Sequence, residues 1–97
     1  MKQIIATIYL YKGENKRKTP FKNNYRPLFN FIKETKTSGN IKLLNNKSEF
    51  QPGEKNDVLI QFINTEFLGK DFKIGKKFTF GEGKEILGEG KILEILK

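Results

Sequence analysis

A chain of 97 residues with 36% hydrophobic and 31% charged content is long enough for one small core and too apolar for a disordered tail. It contains no cysteine and no histidine, which excludes disulfides, thiolate chemistry, cysteine–histidine metal sites and every histidine-based catalytic triad. Its net charge of +8 favours an anionic partner such as nucleic acid, an acidic protein or a membrane surface.

Residues 3–12, QIIATIYLYK, set Ile4, Ala6, Ile8 and Leu10 against Ile5, Thr7, Tyr9 and Tyr11. Both sets are largely apolar, so the pattern predicts a first strand covered on both faces. The same alternation, with no small-x-small cleavage site, distinguishes this opening from a signal peptide. No apolar run approaches the roughly 20 residues that span a bilayer, so no membrane span is expected and the expected location is the cytoplasm.

Residues 16–24 are polar, basic and aperiodic, and Pro20 removes a backbone donor; a long, positioned loop is expected there. Residues 12–36 hold eight basic and two acidic side chains, so the positive charge is concentrated in this segment. Residues 28–33 predict a second strand, with Phe29 and Phe31 on one face. TKTSGN, residues 35–40, reads as a turn in which Gly39 takes positive φ. NIKLL restarts extended structure and NNKS interrupts it. QPGE, residues 51–54, is a strong turn signal. DVLIQFI, residues 57–63, then predicts the clearest core strand, with Val58, Ile60 and Phe62 on one face. A turn at Gly75 and a short strand around residues 78–80 follow. The tail KEILGEGKILEILK predicts two strand pieces broken at Gly88 and Gly90. About six short strands with little helix point to an all-β chain, and small all-β chains close into barrels partly to remove exposed edges.

Catalytic chemistry finds little to work with. Glu82, Glu85 and Glu89 lie near the last glycines as solvated charges, with no cleft around them. GEGKEILGEG matches neither phosphate-loop pattern and has no helix after it, so it reads as a hairpin turn and a bulge. No cofactor, metal or GTP site is expected, and the chain reads as a non-enzymatic binding module. Its candidate contacts to an anion or nucleic acid are Lys16, Arg17, Lys18, Thr19 and Lys22. Arginine offers a planar fork to phosphate, and the lysines act as flexible point charges. Arg26, between Tyr25 and Pro27, is either held structurally or turned to a ligand. Tyr25, Phe29 and Phe31 read as core rings rather than stacking platforms for bases.

KTPFKNNYRPLFNF, TSGNIKL, QPGEKNDVLIQFI and KKFTFGEGKEILGEGKILEIL together resemble the C-terminal β-barrel, domain three, of bacterial elongation factor Tu. The shared pattern is Thr-Pro-Phe, then Tyr-Arg-Pro leading into a Phe-x-Phe strand, a glycine turn, Pro-Gly before a long strand, and a last hairpin with Gly-x-Gly. It runs from about residue 3 to about residue 96. The resemblance implies one domain over residues 1–97, a six-stranded antiparallel Greek-key β-barrel, and a barrel that stands alone without a GTPase domain. It places a tRNA-contacting pair at Arg17 and Lys18 and a hydroxyl at Ser38. Four positions depart from the family pattern: Leu28, Gly81, Glu85 and Glu89. Two positive charges are lost there and two negative ones appear.

Two functions are therefore expected. The first is a small interaction module that binds a protein partner through a barrel face related to that of the elongation-factor domain; its altered rim fits an altered partner. The alternative is an RNA-binding barrel that grips the backbone of a tRNA-like stem through its basic loop and Ser38.

Overall fold

A computed structural model describes residues 1–13 and 19–96. Among these residues the chain forms nine strands and no helix: β1 (Lys2–Leu10), β2 (Phe21–Lys22), β3 (Leu28–Ile32), β4 (Thr35–Ser38), β5 (Asn40–Leu43), β6 (Glu49–Phe50), β7 (Lys55–Phe62), β8 (Lys77–Glu82) and β9 (Glu85–Ile95). Seven of them form one antiparallel sheet in the order β4-β3-β8-β9-β1-β7-β5, and β2 pairs with β6.

Two-residue alternation builds the core. β1 buries Ile4, Ala6, Ile8 and Leu10, and β7 buries Val58, Ile60 and Phe62. The second face of β1 is not covered in the same way: Ile5, Thr7 and Tyr9 are only half-buried. That corrects the expectation of a strand buried twice. Phe29 and Phe31 from β3 meet Phe62, Phe78 and Phe80 inside, with the Phe29 and Phe62 rings edge to face at 5.2 Å. The core role expected for Phe29 and Phe31 is thus met.

The sheet is curled into a barrel-like body. β4 and β5 are the first and last strands of the order, yet Gly39 alone separates them. One residue cannot cross a flat sheet whose strands lie about 4.8 Å apart, so the sheet must curl. The register shows how. Leu28 faces Ser38 and Phe29 faces Thr37 in the β3–β4 ladder, and the same register continues beyond Gly39 as a bridge between Tyr25 and Ile41. The Gly39 N–H donates to Pro27 O at 3.3 Å, and the Ile41 N–H donates to Tyr25 O at 2.8 Å. β5 meanwhile pairs with β7 along its other edge.

Three further expectations are revised. TKTSGN is strand, not turn: the reversal falls earlier, with Glu34 at φ 63°. Polar composition suggested a turn, but β-branched Thr35 and Thr37 fit a pleated surface, and Thr37 is buried. Gly39 does not take positive φ. Glycine is needed because an added Cβ would lie 2.6 Å from the Phe62 ring and 2.8 Å from the Phe29 ring. Gly88 and Gly90 do not split the tail, because β9 runs unbroken for 11 residues. A Cβ at either position would meet the Phe80 or Phe78 ring at 2.3 or 2.6 Å. Finally, the expected loop over residues 16–24 contains β2, whose Phe21 stacks on Phe50 at 5.0 Å and on Tyr25 at 4.5 Å.

Candidate binding groove

The bent strand through Gly39 positions the best candidate site. Arg26 precedes β3, Lys36, Thr37 and Ser38 lie on β4, and Gln61 lies near the end of β7. With Ile63, Asn64 and Phe67 they line a groove of about 270 Å³. Continuing the register places Arg26 opposite Asn40, and Asn40 pairs across the sheet with Gln61.

Arg26 and Ser38, two of the residues singled out in the sequence, are thus brought together, and both are exposed. Arg26 is not held by a carboxylate among the described residues, so its side chain faces outward rather than serving as a structural pin. Lys22 lies elsewhere: it is exposed on β2, opposite Glu49 of β6. Thr19 is exposed just before that strand. Lys16, Arg17 and Lys18 lie outside the described residues. Tyr25 is half-buried and donates its hydroxyl to Glu82 Oε2 at 2.5 Å, so it belongs to the wall and not to a base-stacking platform.

Charge separates this groove from its neighbours. Arg26 and Lys36 line it, and no carboxylate does among the described residues. Four other surface grooves each include at least one: Glu89 in two of them, Glu66 with Asp71 in another, and Glu85 in the fourth. Lys36 is anchored by donating to Gly83 O at 2.5 Å, which leaves two of its three N–H groups available. Ser38 adds a hydroxyl that donates or accepts.

The apolar half of the groove continues onto a short uncharged stretch of the sheet, edged by Lys42 beside Leu59 and by Glu94 beside Ile5. On the outside of the sheet Asn40 sits beside Gln61 and Gln61 beside Gln3, while Leu59 sits beside Ile5. The Gln61 amide donates to Gln3 Oε1 at 3.3 Å. Ile63 is 73% exposed and Phe67 38% exposed. Asn40 is buried, donates to Asn24 Oδ1 at 3.3 Å, and has an Oδ1 with no hydrogen-bond partner among the described residues.

The positions that depart from the elongation-factor pattern gather next door. Leu28, Gly81 and Glu85 line one small groove, which shares Lys36 with the site. Gly81 is closed to any side chain, since a Cβ there would lie 1.8 Å from Glu85 O. Glu89 lies outside that groove, paired with Thr79 and Tyr9 across the sheet, and accepts the Tyr11 hydroxyl at 2.7 Å. Burial, helped by that hydrogen bond and the Glu89 charge, pushes the Tyr11 phenol up to about 12.

Sequence reasoning missed Lys36, Gln61, Ile63, Asn64 and Phe67. Two signals were available. Ile63 falls on the non-core face of DVLIQFI, and Phe67 stands in the polar stretch NTEFLGK. No helix among the described residues is long and apolar enough to cross a membrane, and no cluster of three potential metal ligands occurs among them. No protein-family model matches the chain.

Proposed function

We propose that this chain is a non-enzymatic interaction module whose barrel face at Arg26, Ser38, Ile63 and Phe67 binds a protein partner. One observation carries the reading: a surface-exposed arginine, an aromatic ring and an aliphatic side chain line one groove, next to the uncharged pair Gln61 and Gln3. Charge-poor centres with arginine and aromatic anchors distinguish the cores of protein interfaces from the rest of a surface.

The finer architecture belongs to the same proposal. Counting β4 and β5 as one strand bent at Gly39 leaves six strands, with neighbours running β3, β4–β5, β7, β1, β9, β8 and back to β3. Such a ring is a closed six-stranded barrel. The hairpin-linked β3, β4–β5 and β7 with β1 returning beside β7 make a Greek key. That topology is the one implied by the resemblance to elongation factor Tu domain three, and it supports the idea of a barrel that has kept the fold and changed its rim.

The alternative, RNA binding, is favoured by the two cations, the Ser38 hydroxyl and the absence of any carboxylate in the groove among the described residues. Co-purification from nuclease-treated lysate separates the readings. A partner recovered by the wild type and lost by Arg26→Glu combined with Phe67→Ser supports the protein reading. Loss of every partner on nuclease treatment, with tight binding of a tRNA stem at physiological salt, replaces it with the RNA reading.

A further inference from the structure

The ligand class of the groove follows from its two halves. One half is cationic: the Arg26 guanidinium, the anchored Lys36 ammonium and the Ser38 hydroxyl. The other half is apolar: Ile63 and Phe67, both exposed. Each half alone is ordinary on a chain of net charge +8. Their junction in a groove with no carboxylate among the described residues is not, because four other grooves place acids among their lysines.

We infer that the groove takes an acidic side chain with an apolar neighbour, presented by a polypeptide partner. The carboxylate docks between Arg26 and Lys36, with Ser38 donating to its second oxygen. The apolar side chain covers Ile63 and Phe67. A guanidinium fork binds a carboxylate through two parallel charge-assisted bonds, and such bonds are about twice as strong as neutral ones. Covering Ile63 and Phe67 removes the water that would otherwise screen that pair. A bare phosphate backbone would satisfy the cationic half and leave Ile63 uncovered. An acidic–apolar pair satisfies both halves. This inference rests on the protein-interaction reading and specifies what its partner must present.

The test uses the intact wild-type protein and amide NMR, with acetyl-Glu-Phe-amide as the probe. Acetyl-Gln-Phe-amide and acetyl-Glu-Ala-amide each remove one half of the ligand, and a short RNA stem serves as competitor. The expected result is a saturable shift at the Ser38, Gln61 and Asn64 amides. Both altered dipeptides should bind roughly ten-fold more weakly. Arg26→Gln should weaken acetyl-Glu-Phe-amide by a similar factor, and Lys55→Gln, on another face, should leave it unchanged. The absence of saturable shifts at these amides overturns the inference. So does equal binding of the Glu and Gln dipeptides, or complete displacement by the RNA stem at lower concentration. If co-purification still loses its protein partner in the Arg26→Glu, Phe67→Ser variant while the dipeptide fails to bind, the ligand class falls and the protein-interaction reading stands.

Discussion

Two grooves on this barrel carry similar numbers of cations and differ in what surrounds them. The larger, of about 450 Å³, is walled by Lys55, Lys77 and Lys91 together with Glu89, Thr7 and Tyr9. The smaller has Arg26 and Lys36, two exposed apolar side chains and no acid among the described residues. In the first, the carboxylate is also committed, since Glu89 accepts the Tyr11 hydroxyl. A high net charge therefore says little about where a partner docks. What marks a site is positive charge left unbalanced beside uncovered apolar surface.

The comparison breaks most severely at its supporting corner. Gly39 joins Ser38 to Asn40 at the smaller groove and touches two core rings, so Gly39→Ala should cost about 1–3 kcal/mol through overpacking. Urea unfolding measures the loss, and amide shifts at Ser38 and Gln61 should move while those at Lys77 and Lys91 stay. A stability equal to wild type would mean that the two rings give way freely.

Charge reversal tests the contrast directly. Arg26 and Lys55 are both exposed, so Arg26→Glu and Lys55→Glu should each leave stability within about 0.5 kcal/mol. Only Arg26→Glu should abolish binding of an acidic–apolar peptide. Equal effects on binding would place the attraction in the overall charge.

A smaller effect is expected in the larger groove. Lys77 and Lys91 face each other directly across β8 and β9, where like charges repel. Lys77→Glu should stabilise the fold by about 0.2–1 kcal/mol, read by chemical denaturation at low salt and fading at high salt. No gain at low salt would show that solvent already screens the pair.

The Tyr11–Glu89 contact sets a pH dependence on that same side. The folded phenol is raised from 10.0 to about 12, so its contribution is fully present below pH 10 and lost as pH rises toward 12. Glu89→Gln should bring the Tyr11 titration back toward 10 without restoring it fully, because burial remains; ring-carbon NMR resolves it from Tyr9 and Tyr25. Glu54, which lines neither groove, is the smallest case. Burial opposes its ionisation, but Lys47, the Gln51 N–H and the Asn56 amide outweigh burial and hold its carboxyl below the usual range. Its contribution is present above the ordinary carboxylate range and lost as pH falls through the lowered value. In Glu54→Gln the acid limb of the stability curve should shift only slightly, because the pair is close to solvent.

Local pattern determined much of this protein. Alternation in QIIATIYLYK and DVLIQFI marked β1, β7 and their buried faces, and Phe29 and Phe31 were legible as core from spacing alone. QPGE marked a turn, and Gly53 takes φ 87° there. These signals are local, since side-chain period and turn chemistry act over a few residues. The site was legible only in part: Arg26 stood out between Tyr25 and Pro27 at a strand start, Ser38 stood out only through the resemblance, and their meeting with Ile63 and Phe67 was not visible. Tertiary structure alone decided that TKTSGN becomes a strand bent at Gly39, that Gly39, Gly88 and Gly90 are required by rings from other strands, and that the sheet's two edges meet. Each of these depends on atoms distant in sequence arriving at one place, and no periodicity along the chain encodes that distance.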